Sequence, residues 1–240
     1  MPDRAALVTG ASSGIGLAIA HALGEEGYGL TVAARRPEKL AAAVEELRAA
    51  GHEVEEVAAN LRAEEDVQRV VAAHRDRFGR LDMLVNSAGV GFGAAAGEHQ
   101  TKRVDMQLDL NLRAIILFYR ETVDLLRAAG AEHRNALVVN LASIAGKSGQ
   151  PWLSVYSATK AAVIGYTQAM NKELNSDGVK SVALCPGFVD TPMSDFIKQQ
   201  VGADEMIRTE DVAHAVRFLL RLSPACIVPE IVFQRAGEGV

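Results

Sequence analysis

Short apolar runs alternate with longer amphipathic stretches along the whole chain, the pattern of repeated βα units around a parallel sheet. The runs predict strands over Ala5–Thr9, Leu30–Ala34, Glu53–Ala58, Met83–Asn86, Leu137–Leu141, Ser181–Cys185 and Ile231–Phe233. Strands buried on both faces are continuously apolar, as in Leu84-Val85 and Leu137-Val138-Val139. Helical periodicity fills the intervals. Glu38–Ala50 stops at Gly51 and Glu64–Phe78 stops at Gly79, each glycine standing where a left-handed cap belongs. Leu112–Tyr119 reads as a buried helix segment. Val155–Ser176 and Thr209–Leu222 are the late helices, with Thr209 as the N-cap of the second. No repeat, low-complexity tract or linker interrupts the alternation. One α/β domain of doubly wound form over residues 1–240 is the expectation.

A glycine loop, Thr9-Gly10-Ala11-Ser12-Ser13-Gly14-Ile15-Gly16, follows the first strand directly and opens a helix at Leu17. Glycines there let the backbone turn tightly and approach a pyrophosphate, whose charge the helix N-terminus favours. The spacing is G-x-x-x-G-x-G rather than G-x-G-x-x-G, so its position after an N-terminal strand matters more than the glycines themselves. The end of the second strand discriminates between cofactors. A carboxylate there suits a ribose 2′-hydroxyl, and an arginine suits a 2′-phosphate. This chain has Ala34-Arg35-Arg36 and no acidic residue, which points to NADP(H), with Arg35 on the phosphate and Arg36 assisting. The bland alternative is a solvated arginine pair at a strand end.

Of four tyrosines, only Tyr156 has a lysine four residues on, Lys160, which puts the two on one helix face. A free phenol titrates near ~10, and an adjacent ammonium stabilises its phenolate. Alone, the pair is an ordinary exposed one. Ser143, which follows the strand Leu137–Leu141, changes that. Ligands in open parallel sheets bind beyond the carboxyl ends of strands, so Ser143 and Tyr156 can face one crevice. A hydroxyl donor and a tunable phenol together suit carbonyl polarisation followed by protonation.

With these motifs in order over nearly the whole chain, the sequence resembles the short-chain dehydrogenase/reductase family, of its compact classical type. Thr9–Gly16 resembles the T-G-x-x-x-G-x-G cofactor loop. Asn86-Ser87-Ala88-Gly89 resembles the N-N-A-G segment beside the adenine side. Pro186-Gly187 with Thr191 resembles the P-G-x-x-x-T stretch at the nicotinamide end. The resemblance implies a Rossmann fold with a seven-stranded parallel sheet and a catalytic set of Asn111, Ser143, Tyr156 and Lys160. In it Tyr156 exchanges the proton, Lys160 lowers the tyrosine pKa and bonds the nicotinamide ribose, Ser143 holds the carbonyl oxygen, and Asn111 positions a water. It further implies cofactor contacts from Gly10, Ser12, Ser13, Gly14, Ile15, Gly16, Arg35, Arg36, Asn60, Leu61, Asn86, Ala88, Gly89, Tyr156, Lys160, Pro186, Gly187, Val189 and Thr191. Ser87 replaces an asparagine, and Asn60 stands where an aspartate often meets the adenine amine. Ser87 is smaller and still hydrogen-bonds but reaches less far, while Asn60 can offer its amide oxygen, which predicts weaker or altered adenine contact rather than loss of binding.

Substrate contacts are expected from Ser143, Trp152, Tyr156 and Phe188, with a substrate segment over about 188–205. Leu153, Met193, Phe196 and Ile197 add to an apolar wall, or equally pack a lid or a subunit contact. The substrate class is then an apolar ketone or secondary alcohol. A non-catalytic NADP(H)-binding redox sensor and an NAD-dependent dehydrogenase of the same family are the competing functions. A net charge of −5 gives no reason to expect nucleic acid. Two cysteines make no disulfide framework, and Cys185 at the end of an apolar run reads as a buried, inert thiol. Six scattered histidines show no ligand spacing, so no metal is expected. No run approaches the ~20 apolar residues of a membrane span, and no signal peptide opens the chain. Cytoplasmic residence and, by resemblance, a homotetramer or homodimer are expected.

Overall fold

A computed structural model describes residues 2–198 and 201–236. Gln199 and Gln200, inside the expected substrate segment, lie outside the described residues. The strands are β1 (Ala5–Thr9), β2 (Gly29–Ala34), β3 (Val54–Ala58), β4 (Met83–Asn86), β5 (Ala136–Leu141), β6 (Val179–Pro186) and β7 (Glu230–Phe233). They form one seven-stranded sheet in the order β3-β2-β1-β4-β5-β6-β7. Every pairing in it is parallel. The chain order reverses between β1 and β4, which opens a crevice at the carboxyl ends of those strands.

The helices are α1 (Gly14–Glu25), α2 (Pro37–Ala49), α3 (Glu64–Phe78), α4 (Thr101–Leu108), α5 (Ala114–His133), α6 (Ser154–Leu174) and α7 (Thr209–Leu220). Strand pleating sends alternate side chains to opposite faces. Thus Ala6 and Val8 pack with Ile19, Leu40 and Val216 of α1, α2 and α7 on one face. Leu7, Leu84 and Val138 pack with Val70, Phe118 and Val163 of α3, α5 and α6 on the other. Central strands β1, β2, β4, β5 and β6 are buried throughout, whereas the edge strands β3 and β7 are only partly covered. This is the doubly wound α/β architecture that the alternation predicts.

Gly51 and Gly79 have φ of +87° and +69°, the left-handed conformation expected at both helix ends. Thr209 is different. It is the first residue of α7, and the cap is Arg208, whose amide donates to the Asp211 carboxylate at 2.9 Å. The acidic residue three positions on bonds back to the chain, so the helix needs no hydroxyl cap. Between α4 and α5, Asp109–Arg113 form a π-helical turn, in which the Ala114 amide donates to the Asp109 carbonyl five residues back.

Candidate active-site cleft

The glycine loop leaves β1 and enters α1 through two close approaches. Gly10 has φ +68°, and a Cβ there would lie 2.8 Å from the Ala88 backbone. At Gly16 a Cβ would lie 2.5 Å from the Gly10 carbonyl oxygen and 3.1 Å from Ser87 Oγ. Ser87 therefore sits beneath the loop, where its small side chain fits. Thr9 Oγ1 fixes this crossing by accepting from the Ser87 and Ala88 amides at 3.1 and 3.2 Å and donating to the Val85 carbonyl at 3.3 Å. Ser13 precedes α1 in extended conformation and makes no side-chain cap, so the first-turn amides of α1 face the crevice without an internal acceptor. Ser12 is half-buried and Ser13 exposed, while Ile15 packs partly on the core. Thr191 joins this end of the cleft, its methyl lying 3.0 Å from where a Gly14 Cβ would be.

Arg35 and Arg36 emerge exposed from the end of β2. Among the described residues neither guanidinium has an ion-pair partner. Asn60, following β3, is exposed, and its amide donates to Asp66 at 2.6 Å. Leu61 and Val189 are buried in the two cores, so only their main chains can reach a ligand. Asn86 is buried and donates to Asn140 Oδ1 at 2.9 Å, while its own Oδ1 has no partner. Asn140 continues inward to Tyr119 and Thr167 at 3.0 and 2.9 Å, which locks β4 and β5 to α5 and α6.

Ser143 lies two residues beyond β5 and caps a 3₁₀ turn, Ile144–Gly146, accepting from the Ala145 amide at 3.1 Å. Its bond to the Pro186 carbonyl is long, 3.4 Å, and the hydroxyl stands near enough to the Tyr156 phenol to favour its ionised form. Tyr156 stands on the first turn of α6, half-buried, with Gly91 against its ring. Lys160, one turn on, is 5% exposed and donates to the Leu141 carbonyl at 2.5 Å. Its Nζ lies 5.6 Å from the Tyr156 ring centroid.

Burial pushes the Tyr156 phenol above its ordinary value, and the Ser143 hydroxyl only partly offsets this. Burial also lowers Lys160, to about 8. Cys185, behind Ser143, is buried and pushed up to about 12 by burial, so it stays a thiol.

Asn111 is the middle residue of the π-turn and fully buried. Its Oδ1 accepts from the Val90 amide at 2.9 Å. Its Nδ2 donates to the Val90 carbonyl at 2.8 Å and to Thr159 Oγ1 at 3.1 Å. With Thr159 Oγ1 donating to the Tyr156 carbonyl at 2.7 Å, the amide ties the loop after β4 to the start of α6. Both Nδ2 hydrogens are used by those bonds, while Oδ1 accepts one and keeps a second acceptor site.

The mouth of the cleft has one residue with an unusual backbone. Trp152 is 56% exposed and has φ +67°. Its carbonyl accepts from the Ala94 amide at 2.8 Å, and its ring lies flat on Gly93, where a Cβ would come within 2.1 Å. Phe188 is half-buried, and its carbonyl accepts from Ile207 at 3.0 Å. With the Asp190 amide donating to the Ile207 carbonyl at 2.8 Å, this closes the base of the segment between Phe188 and Ile207. Met193 and Phe196 on that segment are 51% and 60% exposed.

A model of the short chain dehydrogenase family matches residues 4–202. The chain belongs to this family. A relative of this short-chain dehydrogenase, the 3-oxoacyl-(acyl-carrier-protein) reductase of Staphylococcus aureus, is 34% identical over 227 residues, 90% of each chain. A variant of the actinorhodin polyketide ketoreductase, solved with NADPH, superposes with a TM-score of 0.86 at 33% identity over 95% of both chains. The 3-ketoacyl-(acyl-carrier-protein) reductase of Brucella melitensis, solved with NADH, superposes with a TM-score of 0.87 at 27% identity over 96% of both. Among the described residues, no group of three His, Cys, Asp or Glu could hold a metal ion in this short-chain dehydrogenase. No described helix is long and apolar enough to cross a membrane.

The π-turn, Thr159, and the contact of Gly93 and Ala94 with Trp152 escaped the sequence reading. Nothing in the residues around Gly93 marks that loop as a seat for an indole.

Proposed function

We propose that this short-chain dehydrogenase is an NADP(H)-dependent oxidoreductase acting on an apolar carbonyl or secondary alcohol. The observation that carries this is the meeting of Ser143, Tyr156 and Lys160 at the carboxyl end of β5, on the same edge of the sheet as the glycine loop. The residues present fit a phosphorylated dinucleotide. The first-turn amides of α1 suit a pyrophosphate, and Arg35 and Arg36, without an ion-pair partner among the described residues, suit a 2′-phosphate. The ketoacyl reductases among its relatives support a 3-oxoacyl compound as the first substrate to try.

The glycine loop, Arg35 and Arg36 would hold NADPH, whose chemistry there would be hydride donation to a carbonyl carbon. Ser143 orients the carbonyl oxygen, since its long bond to Pro186 leaves the hydroxyl free to turn. Tyr156 then gives its proton to that oxygen. A phenol held protonated by burial is ready for reduction across neutral pH, and the oxidation direction requires its removal. Lys160, near its own titration at about 8, returns the proton. Trp152 and Phe188 wall the entrance.

The test is NADPH consumption against a panel of ketones, aldehydes and 3-oxoacyl thioesters. Tyr156→Phe should bind NADPH as the wild type does and lose about 10²-fold or more in turnover. Full activity in that variant removes Tyr156 as the acid. Arg35→Ala should lose preference for NADPH over NADH, and an unchanged ratio removes Arg35 from the phosphate site. Tight NADPH binding with no turnover of any carbonyl favours the sensor reading.

A further inference from the structure

Arg62 and Asp109 are 47 positions apart, and neither touches the residues assigned to proton transfer. Arg62 lies in the loop after β3, and its Nη2 and Nε both donate to Asp109 Oδ2, at 2.9 and 3.2 Å. The pair is two-thirds withdrawn from solvent, with 32% and 33% of the side chains exposed. Asp109 is the first residue of the π-turn, and Arg113, the last, returns to the same loop. Its Nη1 donates to the Arg62 carbonyl at 3.3 Å and its Nη2 to Glu64 at 2.9 Å. Both ends of the turn are therefore tied to residues 62–64. The middle residue, Asn111, is buried on Val90 and Thr159 instead.

A π-turn is one residue longer than the helical turn it replaces, so sequence propensity alone does not hold it. Reversion to α-helical register would rotate Asn111 about 100° around the helix axis relative to α5. The amide would then leave Val90, and the Asn111–Thr159 link to the first turn of α6 would break. Something outside the helix must select the longer turn, and the contacts at its two ends are placed to do so.

We infer that Arg62, acting through Asp109, is a positioning residue that holds the π-turn and thereby seats Asn111 between Val90 and Thr159. Only the kinetic arm of the test below rests on the proposed function. Arg62→Met, Asp109→Asn and the exchanged pair Arg62→Asp with Asp109→Arg are compared with the wild type. The exchange keeps opposite charges facing each other at positions 62 and 109 and leaves the Arg113–Glu64 pair in place.

Amide hydrogen exchange at Val90 reads the seat directly, since Asn111 accepts from that amide. The Ala5 amide, bonded to Asp82 at the far end of the sheet, is the reference. Each single variant should raise Val90 exchange about tenfold or more, leave Ala5 unchanged, and recover in the exchanged pair. In turnover, kcat should fall about tenfold with the KM for NADPH unchanged, and Arg62→Lys should retain most of the activity. Unchanged Val90 protection in both single variants overturns the inference. So does an equal loss at Ala5, which would mean general destabilisation. If the wild type reduces no carbonyl, the proposed function fails while Val90 exchange still decides the role of Arg62.

Discussion

Lys160 carries its ammonium into a site where 5% of the residue meets solvent, with the Leu141 carbonyl as its hydrogen-bond acceptor. Burial lowers it from 10.5 to about 8. Between these values the unfolded chain binds more protons than the folded one, so folding stability rises with pH across the window. Below about 8 the folded protein bears the full cost of a buried charge. Lys160→Met should therefore stabilise the protein at pH 7 by about 2 kcal/mol, allowing for the lost bond to Leu141. That corresponds to about 4–8 °C in thermal midpoint, with turnover abolished, and the gain should vanish as pH approaches 10.5. Thermal unfolding at pH 7 and pH 10 checks it, and a lower midpoint at pH 7 would contradict it. Tyr156 and Lys160 were legible from their spacing because a helix puts positions four apart on one face. Their ionisation was not, because desolvation depends on what packs over the pair, which no local pattern encodes.

At the scale of elements, the sequence announces helices by periodicity and ends them where backbone conformation demands it. Gly51 and Gly79 were readable because a left-handed cap favours one residue type. Thr209 misled because Asp211 performs the capping from inside the helix, a choice between two polar side chains that sequence leaves open. The π-turn at Asp109–Arg113 was invisible, since its determinants lie in a distant loop. The start of α1 shows the reverse case, a local motif with a rigid tertiary cause. A Cβ at Gly16 would stand 2.5 Å from the Gly10 carbonyl, backbone against backbone, with no flexible side chain to yield. Gly16→Ala should displace α1 from the loop, cost about 1–3 kcal/mol, and weaken NADPH binding about tenfold or more. Urea unfolding and a cofactor titration measure both. Wild-type affinity would mean that the loop does not meet the dinucleotide.

Across the whole molecule, the two edges of the sheet divide the work. The carboxyl edge holds the cleft, and the amino edge is gathered by Asp82, which is 2% exposed. It accepts from the Ala5 amide at 2.8 Å, from Arg80 at 2.7 and 2.8 Å, and pairs with His133 at 2.9 Å, so β1, β4 and the end of α5 meet there. Burial pushes the Asp82 carboxyl upward, but Arg80, the Ala5 amide and His133 outweigh it and hold it below the usual range. A depressed carboxylate stabilises the fold above its unfolded pKa and loses that contribution as pH falls through the folded one. Asp82→Asn should cost about 3 kcal/mol at neutral pH and leave turnover per folded molecule unchanged. In urea unfolding the gap to wild type should narrow below about pH 4, and a gap that persists would place the stabilisation elsewhere. The doubly wound layering was legible because two-faced burial imposes continuous apolar runs. The pairing of charges between distant segments was not, since Asp82 and His133 carry no mark of each other in the chain.

The sequence contains one tryptophan, and it is Trp152. All indole emission thus originates at the entrance of the cleft, from a ring resting on Gly93 in a backbone conformation that unfolding releases. The protein carries its own optical probe at the place where ligands enter. Loss of the fold alters that single signal, and under the proposed function dinucleotide binding would alter it too, without any label being introduced.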